Sequence, residues 1–381
     1  MTRAKARSRR RQVLVTGYPG FIGKQLVRKL LKTEPESDFT LLVQERFVDS
    51  AQRYVRASRR KNLERVHILS GDIADMHLGL SASELKNLTR KLTDIYHLAA
   101  ISYLGAPEEL MRRVNIQGTI NLLEVAEQSR KLRRFNHVST CYVSGDREGV
   151  ITEEELDCGQ GFRNPYEMTK HEAEIRVRRA MDSLPISVYR PSIVVGDSRT
   201  GEIGRFDGPY YLGMLMAATP LSMPLPLPGE GGAPLNMVPV DYVVDAISWL
   251  SMQPDAQGVT FHVVDPNPLS VRGVYTLIAE RLGVEASRIR MGTGLTRSVL
   301  SGLSSALQMI PGLEKISRFP RQAIDLVNTI SIYNNPNTTN ALKGSRIECP
   351  PFESYVDKLI AYVKSTYASQ RSRDADEDPL A

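Results

Sequence analysis

The amino-acid sequence predicts an α/β fold, a doubly wound parallel sheet with a smaller region C-terminal to it, and three observations carry that expectation. From Val13 onward, short β-rich runs alternate with helically periodic segments. The first strand-to-helix junction holds three glycines at three-residue spacing, in VLVTGYPGFIGKQL (residues 13–26). Near Gly196 the alternation gives way to a stretch rich in Pro and Gly. Strands that alternate with helices require crossover connections, which yield a parallel sheet covered on both faces.

Taken in order, QVLVT (12–16) is the first strand, and the helix after it repeats Ile22, Leu26 and Leu30 along one face. FTLLVQ (39–44), RVHILSG (65–71), DIYHLAA (94–100) and FNHVST (135–140) supply four more strands. The helix between the last two carries Leu122, Leu123, Val125 and Ala126 on its apolar side. ISVYRPSIVVG (186–196) reads as a sixth strand and the loop after it. MPLPLPGEGGAPLNMVPV (223–240) is too rich in Pro and Gly for regular structure and reads as an extended loop. Residues 241–252 and 271–283 have helical patterns. Residues 298–313 carry no charge. That run is shorter than a membrane span and reads as a buried helix or the wall of an apolar pocket, with a surface helix dipping into a membrane as the alternative.

The bulk composition, 41% hydrophobic and 24% charged residues, is that of a soluble globular protein. A net charge of +6 points toward a polyanionic partner until it is located: Arg3, Lys5, Arg7, Arg9, Arg10 and Arg11 account for all of it. The basicity therefore belongs to a short arm, not to a nucleic-acid-binding face. The arm reads as a solvated disordered tail or as a tether to anionic lipid or another acidic surface, so a peripheral membrane contact stays open. It lacks the apolar core of a secretory signal. Cys141, Cys158 and Cys349 form no CxxC pair, and the six histidines show no ligand spacing. A reduced, cytoplasmic, metal-free protein is expected. No feature fixes an oligomeric state.

A strand, then TGxxGxxG, then a helix is a Rossmann-type dinucleotide-binding junction, although glycine-rich turns also occur for structural reasons alone. After Thr16, Gly17 permits a tight turn, Gly20 lets the backbone approach a pyrophosphate and Gly23 lets the helix pack closely. The helix N-terminus at Phe21, Ile22 and Gly23 offers free N–H groups to the phosphates. The second strand ends in Leu42-Val43-Gln44-Glu45-Arg46, without the acid that would hold both ribose hydroxyls. Arg46, with Arg53, can pair with a 2′-phosphate, so NADP is preferred and NAD remains possible, Glu45 pointing the other way. Asp72, followed by Ile73 in SGDI, is placed to accept from the adenine amine or to cap a helix. Ala99 and Ala100 are small where the cofactor ribose must pass, or simply pack closely at a strand end.

Tyr166 and Lys170 stand in NPYEMTKHEAE, and of fifteen tyrosines only this one has lysine four residues on. On a helix that spacing puts both side chains on one face. A close ammonium stabilises the phenolate and makes Tyr an acid–base group near neutrality, and the same lysine can hold the nicotinamide ribose. A hydroxyl to hold the substrate oxygen is supplied by Ser139-Thr140 at the end of the fifth strand. The partition that follows is a basic disordered arm at 1–11 and a dinucleotide-binding domain at 12–196, with a segment near 236–265 returning to it. A substrate-binding region occupies 197–235 and 266–367, and a disordered tail 368–381. Met214, Met216, Met223 and Met237 suit a pliable apolar pocket or ordinary gap-filling in a core.

On these residues the chain, from about Gln12 to about Asp265, resembles an extended short-chain dehydrogenase/reductase. The resemblance implies Tyr166 as general acid–base and Lys170 as its partner. It implies Thr140, five residues before Gly145, as the catalytic hydroxyl, with Ser139 as the alternative. It further implies that Asn115, in RVNIQGT, supports the lysine through water, its other reading being a helix cap. Pro191 and Ser192, in YRPSIVVG, match the turn that contacts the nicotinamide carboxamide, or form an ordinary strand-end turn. HVSTCYVSG and YRPSIVVGDSRTGEIGRFDGPYYL are similar to the male-sterility branch of fatty acyl-CoA reductases and thioester-reductase domains. That branch reduces acyl thioesters with NADPH to aldehyde and sometimes alcohol. Many of its members have arginine where Gln44 stands. No carrier or adenylation domain is evident, so an acyl group would arrive on CoA or an acyl carrier protein. Two other functions remain open: an extended-family dehydrogenase or epimerase for a sterol-like alcohol or a nucleotide sugar, and a cofactor-binding sensor without turnover.

Overall fold

The computed structural model describes residues 10–57, 64–203, 231–283 and 329–376, with two short strands at Leu227–Pro228 and Arg290–Met291. The uncharged run 298–313 and Met214, Met216 and Met223 lie outside these residues. The chain divides into two compact units. The first comprises Met1–Thr140, Thr169–Tyr189 and Val244–Phe261, and the second Cys141–Met168, Arg190–Val243 and His262–Ala381.

The first unit is built on a seven-stranded parallel sheet flanked by helices. Its strands are β1 (Gln12–Thr16), β2 (Asp38–Val43), β3 (Val66–Ser70), β4 (Asp94–His97) and β5 (Arg134–Val138), joined by β7 (Ile186–Pro191) and β11 (Thr260–Val263). Their spatial order is β11-β7-β5-β4-β1-β2-β3. The order reverses between β1 and β4, the switch point outside which α/β sheets bind ligands at the carboxyl ends of the strands. Register there is direct, Val13 opposite Asp94 and Thr16 opposite His97. The helices are α1 (Phe21–Thr33), α2 (Val48–Arg56), α3 (Ala82–Lys91) and α4 (Gly118–Gln128). Leu26 and Leu30 of α1 are buried, as are Leu122, Leu123, Val125 and Ala126 of α4. Leu14, Ile95, Leu122, Phe135, Val177 and Val188 pack into one core cluster.

Arg11, counted with the arm in the sequence, is part of the folded unit. Its guanidinium is buried, forms an ion pair with Glu34 at 2.8 Å and hydrogen bonds with Asp94. A charge so placed persists because both carboxylates meet it.

Among the described residues the second unit contains three two-stranded parallel ribbons. β6 (Gly149–Ile151) pairs with β13 (Ser331–Tyr333), β8 (Ile193–Val195) with β10 (Met237–Pro239), and β9 (Leu227–Pro228) with β12 (Arg290–Met291). Residues after Pro191 are therefore a further strand and not only the loop expected there. Part of the 223–240 loop is also strand. Met237 and Val238 are buried, so apolar packing and pairing override the Pro-rich composition. Helices α5 (Pro165–Ala180) and α6 (Val240–Leu250) run through both units. Helices α7 (Val271–Leu282), α8 (Pro336–Leu342) and α9 (Val356–Asp376) belong to the second. α7 stops at Gly283, which is left-handed. The tail expected from 368 is helical as far as Asp376, since no Gly or Pro interrupts α9. The second core packs Val195, Leu235, Met237, Val274, Ile278, Phe352 and Leu359. Among the described residues no helix is long and apolar enough to cross a membrane.

Candidate active site

β1 ends at Thr16, and the chain turns at Gly17 with φ +81°. Any Cβ there would lie 2.7 Å from the Ala99 nitrogen, so the turn needs glycine on both counts. Gly20 N donates to Gly17 O at 2.9 Å. A Cβ on Gly23 would fall 2.7 Å from that same carbonyl oxygen, so its absence lets α1 lie directly on the loop. The N–H groups of Phe21, Ile22 and Gly23 are in the first turn of α1, where no helix carbonyl reaches them. Loop and helix end together form a cradle suited to a diphosphate.

Beside β2, Gln44 links two residues read as cofactor contacts. Its Nε2 donates to Asp72 Oδ2 at 2.7 Å, and its Oε1 accepts from Arg46 Nε at 3.0 Å. Asp72 Oδ1 accepts from Ala74 N at 2.9 Å, so the carboxylate shapes its own turn and caps no helix. Arg46 is exposed and lies over the Phe47 ring. Among the described residues its terminal nitrogens have no hydrogen-bond partner. Ile73 packs its side chain over Gly118 in the core, and its carbonyl accepts from Asn121. Ala99 and Ala100 are half-buried just past β4, and Ala99 N donates to Thr16 Oγ1 at 3.2 Å.

Helix α5 carries Tyr166 and, one turn on, Lys170. Lys170 is buried, and its Nζ donates to Val138 O at 2.9 Å. Burial pulls the ammonium down to about 8, against the opposing attraction of Glu174. Ser139 Oγ donates to Glu174 Oε2 at 2.6 Å, and Arg178 Nε donates to Glu174 Oε1 at 3.1 Å. Ser139 is thus engaged by Glu174, and Thr140, one residue on, is buried. Asn115 is not a cap: it lies within a π-helical stretch, Arg112–Gln117, leading into α4. Its Oδ1 accepts from Ile101 N at 2.7 Å, and its Nδ2 donates to Thr169 Oγ1 at 3.0 Å, beside Lys170 in sequence.

In the second unit the first turn of α5 is braced around the half-buried Tyr166. Glu167 N donates to Asn164 Oδ1 at 3.0 Å, while Arg163 Nε donates to both Glu167 oxygens at 3.0 and 3.1 Å. The Arg163 guanidinium stands 5.9 Å from the Tyr142 ring centroid. Pro191 and Ser192 are buried. Ser192 Oγ has no partner among the described residues, an orphaned hydroxyl that fits a nicotinamide contact.

Sequence reasoning missed Glu174 and His97. Glu174 could have been found, since it stands four residues after Lys170 on the same helix face. His97 is the last residue of β4, and its role becomes visible only through its partners.

The fold is that of the extended short-chain dehydrogenase/reductase class. More narrowly, the chain belongs to the male sterility protein family, whose family model matches residues 15–247. It is 27% identical over 385 residues to a linear gramicidin synthase of Brevibacillus parabrevis, covering 93% of this chain but 7% of that protein. It is 24% identical over 272 residues to the fatty acyl-CoA reductase wat of Drosophila melanogaster, covering 62% of this chain and 53% of that one. The chain therefore spans about half or less of these relatives. Among solved structures, the terminal R domain of the myxalamid PKS-NRPS pathway matches with a TM-score of 0.79 at 25% identity, covering 93% of this chain and 91% of that domain. A UDP-glucuronic acid 4-epimerase from Bacillus cereus in complex with NAD shares the fold, with a TM-score of 0.66 at 19% identity and coverage of 94% and 98%.

Proposed function

We propose that this chain is an NADPH-dependent acyl-thioester reductase that takes a fatty acyl group from CoA or an acyl carrier protein to the aldehyde or the alcohol. One observation carries the chemistry: Lys170 is buried against Val138 O on the helix that presents Tyr166 one turn earlier. The bound nicotinamide supplies the hydride. Tyr166 and Thr140 donate hydrogen bonds to the thioester oxygen as negative charge develops on it. Tyr166 then protonates that oxygen. Its proton is taken back as the C–S bond of the hemithioacetal breaks, which releases the aldehyde and a thiolate that takes a proton from water. Lys170 stabilises the phenolate that Tyr166 becomes and holds the nicotinamide ribose.

In the same reading the Gly17–Gly23 loop and the N–H groups of Phe21 and Ile22 hold the diphosphate. Arg46 takes the 2′-phosphate, Asp72 and Ile73 border the adenine, Ala99 and Ala100 flank the ribose, and Pro191 and Ser192 meet the carboxamide. The uncommitted nitrogens of Arg46 and the lack of an acid at the end of β2 support NADP over NAD. A reduced compartment, the cytoplasm, suits three free thiols. The test is anaerobic incubation with NADPH and a panel of acyl thioesters, nucleotide sugars and sterols, followed by the absorbance of the reduced nicotinamide. Oxidation only with thioesters is expected. Turnover of a sugar or sterol with no thioester consumed would replace this reading with the dehydrogenase or epimerase one.

A further inference from the structure

Three residues read as parts of the site, Thr16, Ala99 and Asn115, are joined through one that no motif singled out. Ala99 N donates to Thr16 Oγ1 at 3.2 Å, and Thr16 Oγ1 stands 2.9 Å from His97 Nδ1. His97 Nε2 stands 2.9 Å from Thr119 Oγ1, which donates to Asn115 O at 2.6 Å. Asn115 continues to Thr169 on the lysine helix. The direction of every link follows from the ends. A carbonyl can only accept, so the Thr119 hydroxyl spends its proton on Asn115, and His97 Nε2 must be the donor to Thr119. His97 Nδ1 is then an acceptor, and the Thr16 hydroxyl donates to it while accepting from Ala99.

We propose that His97, as the neutral Nε2–H tautomer, is a positioning residue that couples the cofactor loop at Thr16 to Asn115 and so to the helix carrying Lys170. His97 is fully enclosed, on β4 opposite His137 of β5, whose ring centroid is 5.3 Å away, with the edge of Phe135 against it. Burial and the Lys170 ammonium push it down to about 3, so no proton disturbs the chain at neutral pH. The two nitrogens serve different neighbours: Nδ1 serves the loop and Nε2 serves Asn115.

That division makes the inference separable by substitution. An asparagine amide can reproduce Nδ1 and a glutamine amide Nε2. His97→Gln should keep the Thr119 link and lose the Thr16 link, raising the NADPH dissociation constant about three- to tenfold, the effect of one hydrogen bond, with kcat held within about twofold. His97→Asn should do the reverse, lowering kcat by a similar factor at nearly constant NADPH affinity. A side chain that merely fills space would move both quantities together, or neither. Should the His97 variants fail to fold, Thr119→Val is expected to lower kcat alone. The kcat arm rests on the proposed reductase activity, whereas NADPH titration by fluorescence and nitrogen-15 NMR of the imidazole need no substrate. Spectra showing an unprotonated Nδ1 and protonated Nε2 from pH 6 to 8 support the proposal. An Nδ1–H tautomer, an imidazolium, or identical changes in both variants would overturn it.

Discussion

Two sets of buried polar links, one in each unit, draw on different ranges of the chain. In the first, polar groups at the carboxyl ends of β1, β4 and β5 answer one another across the strand–helix repeats: Thr16 with His97, Ser139 with Glu174, Lys170 with Val138. In the second, the links span much more of the chain. Gly149 pairs with Ser331, and the fully buried Glu153 carboxylate accepts from His262 N at 2.8 Å, Asn337 N at 2.6 Å and the Thr338 hydroxyl at 2.9 Å. The first set orders the ends of β1, β4 and β5, and the long-range clamps add to the local Arg163–Glu167 brace in the unit that carries Tyr166. Chemistry should therefore fail at Tyr166 without loss of cofactor, and folding of the second unit should fail at Glu153.

The largest expected effect breaks the chemistry alone. Tyr166→Phe should cut turnover by at least about 10²-fold, the scale of a general acid–base contribution, with the NADPH dissociation constant nearly unchanged. Lys170→Ala should damage both, since in the proposed mechanism the ammonium serves Tyr166 and the ribose. Normal turnover in Tyr166→Phe, measured at saturating NADPH, would remove this tyrosine from the mechanism.

Glu153→Ala probes the long-range clamp. It strands the buried donors of His262 and Thr338 and the half-buried one of Asn337, each buried unmet group costing roughly 1–3 kcal/mol. A thermal transition lowered by several degrees is expected, while NADPH affinity measured well below that transition stays within about twofold. Arg46→Ala sharpens the cofactor side. Loss of one charge-assisted contact, about 1.5–3 kcal/mol, should weaken NADPH roughly ten- to a hundredfold and leave NADH almost untouched in parallel titrations. An equal response of both cofactors would place Arg46 away from the 2′-phosphate.

The smallest effect is on the pH profile. Burial lowers Lys170 to about 8, so the ammonium is present below that pH and is lost above it. kcat/KM, which reports the free enzyme, should therefore fall along an alkaline limb near 8. Lys170→Arg, which stays charged, should be slower but lack that limb. The linked stability runs the opposite way: the unfolded chain keeps the proton up to its higher pKa, so stability rises with pH above 8.

How much of this was legible follows the same division. All five early strands were readable from periodicity, to within a few residues at their ends, because each lies in a local βα repeat. TGxxGxxG and the Tyr166–Lys170 spacing were equally local. The ribbons β8–β10 and β6–β13 were not, because their partners are more than forty residues apart and Pro239 and Gly149 mask the strand pattern. The resemblance put Thr140 ahead of Ser139, but the hydrogen bond that ties Ser139 to Glu174 could not be read from the sequence. The burial of Arg11 was hidden by the five basic residues before it. Its carboxylate partners, Glu34 and Asp94, stand in later elements.

The central claim, thioester reduction, is tested most directly by counting thiols. Wild-type protein is incubated anaerobically with NADPH and a long-chain acyl-CoA, and free CoA thiol is measured against NADPH oxidised. Release of one thiol per NADPH is expected if the product is the aldehyde, and one per two NADPH if it is the alcohol, with both signals lost in Tyr166→Phe. NADPH oxidation without thiol release, or thiol release that survives Tyr166→Phe, would contradict the account.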